Sequence, residues 1–196
     1  MEERKVVALD IGNVCLQITP QRAFDYFGLG DFWQPETELW QAAEALECGR
    51  IGEEDFLDSF RSLLGQRFST AEIHRGWNLV LGEEIDGMAD FVRTMLADGY
   101  QFVFFSDTSA MHMQEVRRKL SFFDLIPDGI FSFEVGARKP HQDMYRDFER
   151  KHGLPAFYFD DRQVNIEAAR QRGWPGFQFT SVTSAWDAVA NGKARR

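Results

Sequence analysis

The chain has 196 residues, 44% of them hydrophobic, enough to bury a core with room for one domain and a small insertion. Its net charge of −9 argues against a nucleic-acid or anionic-membrane surface, although single basic residues can still form a local anion site. Two cysteines, Cys15 and Cys48, without CxxC spacing indicate neither a disulfide framework nor a zinc knuckle. No apolar run approaches bilayer length, so a cytoplasmic setting is expected, with no membrane or nucleic-acid partner.

In chain order, KVVALD (5–10) reads as a buried strand that ends in one carboxylate, Asp10. Gly12 and Asn13 follow, residues that tolerate backbone conformations others resist. Between Val14 and residue 101 no strand is expected. PETELWQAAEALECG predicts a helix from Pro35 to Gly49, since Pro suits a first turn and Gly an exit. GEEDFLDSFRSLLG predicts a second, with Phe56, Leu57, Phe60, Leu63 and Leu64 on one face, and STAEIHRGWNLVLG a third capped by Ser69. These helices read as a subdomain, residues 17–85, inserted after the first strand of a core formed by 1–16 and 86–196.

Beyond the insertion, strand candidates YQFVFFS (100–106), GIFSF (129–133), AFYFDD (156–161) and GFQFT (176–180) alternate with amphipathic stretches. The stretches run over 88–98 and 111–122, and around Met144, Tyr145, Phe148 and Ile166–Ala169. Such alternation predicts βαβ units and a mostly parallel, Rossmann-like sheet covered on both faces. The final NGKARR reads as a frayed tail.

Ligands of open α/β sheets bind outside the carboxyl ends of the strands. Asp10, Ser106, Lys139 and the Asp160–Asp161 pair all fall at that edge. Two acidic strand ends brought together suit a hard cation such as Mg²⁺, and a lysine with a hydroxyl suits an anion bridging to it. The loop at Ile11–Asn13 is expected to turn several N–H groups inward as an anion-binding concavity. Cation, anion site and a lone carboxylate point to phosphoryl transfer with a covalent nucleophile. Taken singly, a strand-end acid such as Asp10 is often a turn former or helix cap. The Asp160–Asp161 pair could be charge at a helix N-terminus, although two adjacent acids after so apolar a run are more often ligands.

On these residues the chain resembles the haloacid dehalogenase-like (HAD) hydrolase superfamily, in the subfamily with a helical cap after the first motif. VVALDIGNV, FVFFSDTS, FSFEVGARKPHQDMY and FYFDDRQVNIEAARQRGW resemble its four motifs in order. The resemblance implies Asp10 as the nucleophile of an aspartyl-phosphate, Ser106 as a donor to the phosphoryl group and Lys139 as the bridging cation. It implies Asp161 as a magnesium ligand with Asp10 and the Gly12 carbonyl, Asp160 as a further ligand or outer-shell acid, and Asn165 in support. The implied activity is a Mg²⁺-dependent phosphatase acting on a small phosphorylated metabolite, with the D-x-G-N-V form pointing to sugar phosphates.

Gly12 departs from the pattern, since most phosphatases of this family carry an acid–base aspartate there. Its loss removes a contribution of roughly 10²- to 10⁴-fold and favours good leaving groups, with Asp107 and His141 the nearest substitutes in sequence. Arg50, in the ECGRIG break of the insertion, is the candidate contact for a polar substrate. Trp77 and Asn78 read as packing, and Arg138 as structural. The rival readings are a metal-independent dehalogenase, which the Asp160–Asp161 pair disfavours, and a non-catalytic phosphate-binding module, which Gly12 alone supports.

Overall fold

The structure is a computed structural model that describes residues 5–30 and 34–194. β1 (Lys5–Leu9) leads to a short β2 (Leu16–Ile18), then to four helices: α1 (Pro20–Phe27), α2 (Glu38–Glu47), α3 (Glu53–Leu63) and α4 (Thr70–Asn78). β3 (Leu81–Glu84) and α5 (Met88–Ala97) return the chain to β4 (Tyr100–Ser106) and α6 (Ala110–Lys119). β5 (Gly129–Phe131), α7 (Ser132–Val135), α8 (Gln142–His152), β6 (Phe157–Asp160), α9 (Gln163–Gln171), β7 (Gly176–Gln178) and α10 (Val182–Ala194) complete it.

Five strands form one parallel sheet in the order β5-β4-β1-β6-β7, with Leu9 opposite Phe104 on one side and Phe159 on the other. Alternate residues of β1 feed two cores. Val7 and Leu9 join Phe91, Met95, Phe104 and Phe159 beneath α5, α6 and α10; Val6 and Ala8 join Phe105, Tyr145, Phe148, Tyr158 and Trp174 beneath α8 and α9. Both faces are therefore apolar, which is why these strands read as continuous hydrophobic runs. The helices α1–α4 have a core of their own around Phe27, Phe56, Phe60, Ile73 and Trp77, and Met111 of α6 inserts into it. Among the described residues no helix is long and apolar enough to cross a membrane.

Strand order reverses between β1 and β6. The chain leaves β1 for β4 and β5 on one side and leaves β6 for β7 on the other, which opens a crevice at their carboxyl ends. Asp10 follows β1 and Asp160–Asp161 end β6, so the acids converge there.

Several elements differ from expectation. The interval after Val14 contains β2 and β3, paired antiparallel with Leu16 opposite Glu84; strands of three and four residues are too short to declare a period. α1 begins with Pro20 and ends at Gly28, whose φ of 67° needs glycine's freedom. α2 starts at Glu38 and not Pro35, because the Thr37 hydroxyl accepts from the Trp40 N–H and caps it. GIFSF stops as strand at Phe131 and Ser132 opens α7. The expected frayed tail is helical through Ala194, while Arg195 and Arg196 lie outside the described residues.

Candidate active site

Lys139 stands at the centre of the crevice and is 4% exposed. Its ammonium donates to Asp160 Oδ2 at 2.6 Å and to the Phe105 carbonyl at 2.7 Å, and lies 3.1 Å from Asp10 Oδ1. Burial alone would lower its pKa, but Asp10, Asp160 and Asp107 outweigh that and keep the ammonium charged well beyond the ordinary lysine range.

Asp10 is buried, and its Oδ1 also accepts from the Ile11 N–H at 2.8 Å. Burial pushes its carboxyl up to about 7, Lys139 opposes the rise, and Asp160 and Asp107 add to it. Asp160 is wholly enclosed and accepts from Lys139, Tyr158 Oη (2.6 Å), the Arg162 N–H (2.8 Å) and Asn165 Nδ2 (3.0 and 3.1 Å). Burial works against its charge, yet Lys139 and these donors hold its carboxyl below the usual aspartate value. With both oxygens saturated, Asp160 fixes Lys139 more readily than it faces a ligand. Asp161 is half-exposed, and its Oδ2 accepts from Asn13 Nδ2 at 2.9 Å.

Carboxylate oxygens of Asp10, Asp160 and Asp161 lie within 4.8 Å of one another. One lysine ammonium cannot balance three such acids, and the remaining negative charge is what a divalent cation neutralises. Asn165 supplies a second sign. It is fully buried, its amide nitrogen is committed to Asp160, and its Oδ1 is without a partner while the residue lines the cleft. A buried acceptor left unmatched costs about 1–3 kcal/mol, so a hydrated cation beside it would relieve it. The residues present thus fit a magnesium ion.

The cleft, about 160 Å³, is lined by Asp10, Gly12, Asp107, Lys139, Asp161 and Asn165, together with Asn13, Arg138 and Arg162. Ser106, the last residue of β4, is buried and lies outside that lining. Asp107 accepts from the Lys139 backbone N–H at 2.8 Å, and burial raises its carboxyl. His141 sits exposed at the start of α8, where its imidazole accepts from the Asp143 N–H, and is not in the cleft.

The structure places the remaining residues as follows. Arg50 is exposed in the α2–α3 turn and lines neither the cleft nor the cavity beside it. Arg138, read as structural, lines both; its guanidinium lies 3.8 Å from Asp107 and 3.3 Å from Glu47 of α2. The expected concavity of free amides at Ile11–Asn13 is largely closed. The Ile11 N–H serves Asp10, and the Asn13 N–H donates to the Leu16 carbonyl at 2.7 Å, because the loop must turn straight into β2. Asn13, missed as a site residue, has φ 53° and ties β2 to the site through Ile18 N–H to Oδ1 (3.0 Å) and Nδ2 to Asp161. An Asn tolerant of left-handed backbone directly after an acid and a glycine was the available signal. The Cys15 thiol donates to the Asp10 carbonyl at 3.2 Å, and burial lifts it far above the usual thiol range, so no thiolate stands near the site.

No protein-family model matches the chain, and no curated protein is detectably similar to it in sequence. Solved structures do match it in fold. A HAD-family enzyme of Bacteroides thetaiotaomicron, in complex with magnesium and inorganic phosphate, aligns at TM-score 0.79 and 20% identity over 91% of this chain and 95% of that one. A predicted HAD-like family hydrolase of Porphyromonas gingivalis aligns at 0.75 and 17%, over 90% and 91%. L-2-haloacid dehalogenase of Xanthobacter autotrophicus, with chloropropionic acid covalently bound, aligns at 0.58 and 13%, over 89% and 77%. Likeness at such identities is likeness of architecture, and on that ground the chain has the HAD-like α/β fold.

Proposed function

We propose that this chain is a magnesium-dependent phosphatase that hydrolyses a small phosphorylated metabolite through an aspartyl-phosphate on Asp10. The observation that carries the reading is the buried Lys139 ammonium held 3.1 Å from Asp10 and 2.6 Å from Asp160, with Asp161 completing the acid cluster. Both contacts described for the Asp10 carboxylate fall on Oδ1, which leaves Oδ2 as the attacking atom. Lys139 opposes protonation of Asp10 and draws the phosphoryl group toward it. Asp160 and Tyr158 hold the lysine in place. Ser106 is assigned as a donor to the phosphoryl oxygens on the strength of its position at the end of β4.

Asp10, Asp161 and the Gly12 carbonyl would hold Mg²⁺, with Asn165 facing its hydration shell. Bound there, the ion would offset the carboxylate charge and polarise a phosphoryl oxygen. The helices α1–α4 are proposed as a cap over the cleft, connected through β2 and β3. Arg138 and Glu47 supply a contact between the two parts. A dehalogenase needs no cation, and three clustered carboxylates without one would repel an anionic substrate.

Acetyl phosphate tests the reading, because acetate leaves without protonation. We expect Mg²⁺-dependent hydrolysis, loss of at least about 10³-fold in Asp10→Asn, and beryllofluoride trapped on Asp10. Turnover of 2-chloropropionate that survives chelation would favour the dehalogenase instead. Folded protein that binds phosphate but turns over nothing would favour the non-catalytic module.

A further inference from the structure

A cavity of about 190 Å³ lies beside the cleft, between β2, α1, α2 and α4 on one side and α6 on the other. Two features join it to the site. Arg138 lines both spaces, and Ile18, which lines the cavity, packs where a Gly12 side chain would point: a Cβ there would lie 3.2 Å from Ile18 Cγ1. Ile18 occupies the space a side chain at position 12 would take, and the wall the two spaces share is Arg138, along which a group attached to the phosphate would pass.

The walls are mainly apolar, with Trp40, Trp77, Phe24 and Ile18 the large contributors. The polar groups present are largely engaged with one another. Arg138 faces Glu47 and Asp107. His112 stacks on Trp77 at 5.3 Å and 6° and lies 3.4 Å from its carbonyl, and burial holds its imidazole down to about 4, so it is neutral. A sugar placed here would bury several hydroxyls without partners, each at a cost. A substrate with a second anionic group would meet Glu44 and Glu47 against the one guanidinium of Arg138.

We infer that the leaving group is a neutral aromatic ring, so that this chain prefers aryl phosphates to sugar phosphates. The inference rests on the phosphatase reading and names its substrate class. It also accounts for Gly12. When Asp10 attacks phosphorus, the P–O bond to the ring oxygen breaks and its electron pair leaves on a phenolate. That anion is stable enough to depart without a proton donor at position 12; its oxygen leaves on the cleft side, where Arg138 lines both spaces, and it then takes a proton from solvent. Water next attacks phosphorus, cleaves the Asp10–phosphorus bond and yields inorganic phosphate, so that ester and water become phenol and phosphate.

The test compares phenyl phosphate, glucose 1-phosphate, glucose 6-phosphate and acetyl phosphate on the wild type and on Ala43→Phe and Ala23→Leu, which fill the cavity from α2 and α1. We expect phenyl phosphate to exceed both glucose esters in kcat/KM by at least about tenfold. Each filling variant should lose at least about tenfold on phenyl phosphate while keeping its rate on acetyl phosphate, whose leaving group needs no cavity. Intrinsic tryptophan fluorescence should respond to phenylphosphonate in the wild type and lose that response in the variants. Glucose esters turned over as well as phenyl phosphate, or folded variants indifferent on both substrates, would overturn the inference while acetyl phosphate turnover kept the phosphatase reading standing. Absence of acetyl phosphate hydrolysis, with no adduct on Asp10, would overturn both.

Discussion

Asp160 is sealed from solvent and accepts from four residues, whereas Asp161, one position on, is half-exposed and meets the Asn13 amide. Adjacent strand-end residues point to opposite sides, so one acid enters the protein and its neighbour faces the cleft. The consequences of substitution should separate accordingly. Asp160→Asn breaks the buried Lys139–Asp160 pair, leaves Asp10 as the remaining close partner of the ammonium, and should cost about 1.5–3 kcal/mol of stability. Tyr158→Phe removes one donor to a charged acceptor and should cost about 1.5–3 kcal/mol. Asp161→Asn should cost under about 1 kcal/mol while abolishing magnesium binding. Denaturant unfolding and magnesium calorimetry on the three variants check this, and equal stability losses at 160 and 161 would contradict it.

Helix α4 carries Gly76 in its interior, where glycine costs about 1 kcal/mol relative to alanine. Packing accounts for it: a Cβ at 76 would lie 2.4 Å from ring atoms of both Phe27 and Tyr26 on α1, and Phe27 is wedged against Phe60 and Phe68. Overpacking costs about 1–3 kcal/mol, more than the propensity gained. Gly76→Ala should therefore destabilise the protein by about 1–2 kcal/mol, measured as a lowered denaturation midpoint; a stabilised variant would mean that α1 yields freely. The same packing shows what a sequence conceals. Long periodic helices such as α3 and α5, and the apolar strands β1, β4 and β6, announce themselves because burial imposes their pattern over many residues. β2 and β3 are too short to do so, and the roles of Arg138 and Arg50 depend on which side of a turn faces the sheet edge. Asp10, Asp160 and Asp161 were legible as candidates because strand ends are fixed by the strands, Lys139 as a charge that follows β5, and Asn165, inside α9, only through the resemblance of its motif. The apolar space beside them was not, since Ile18, Trp40, Trp77 and His112 come from four separate elements.

At the scale of the molecule, Met111 of α6 inserts into the core of α1–α4, and further contacts between those helices and the sheet domain each have their own chemistry. Arg138 reaches Glu47, and Gly49 in the α2–α3 turn lies so close to α7 that a Cβ would stand 2.0 Å from the Phe133 carbonyl. His112 of α6 stacks on Trp77 of α4, with His74 of α4 disfavouring a further positive charge there. Burial holds this imidazole neutral against the pull of the Trp77 carbonyl and lowers its pKa from 6.5 to about 4. Between those values the unfolded chain binds a proton that the folded one refuses. The contribution is thus complete above pH 6.5 and is lost as pH falls toward 4, by about 3 kcal/mol at most. Carboxylates titrate over part of the same range, so the wild-type slope alone does not isolate His112. His112→Gln removes the titrating group while leaving a polar side chain near the Trp77 carbonyl. Its stability should fall less steeply than the wild type's between pH 6.5 and 4, as read from denaturant unfolding at matched ionic strength. Parallel slopes for the two proteins would mean that His112 takes up its proton without disturbing the seat of α4 on α6.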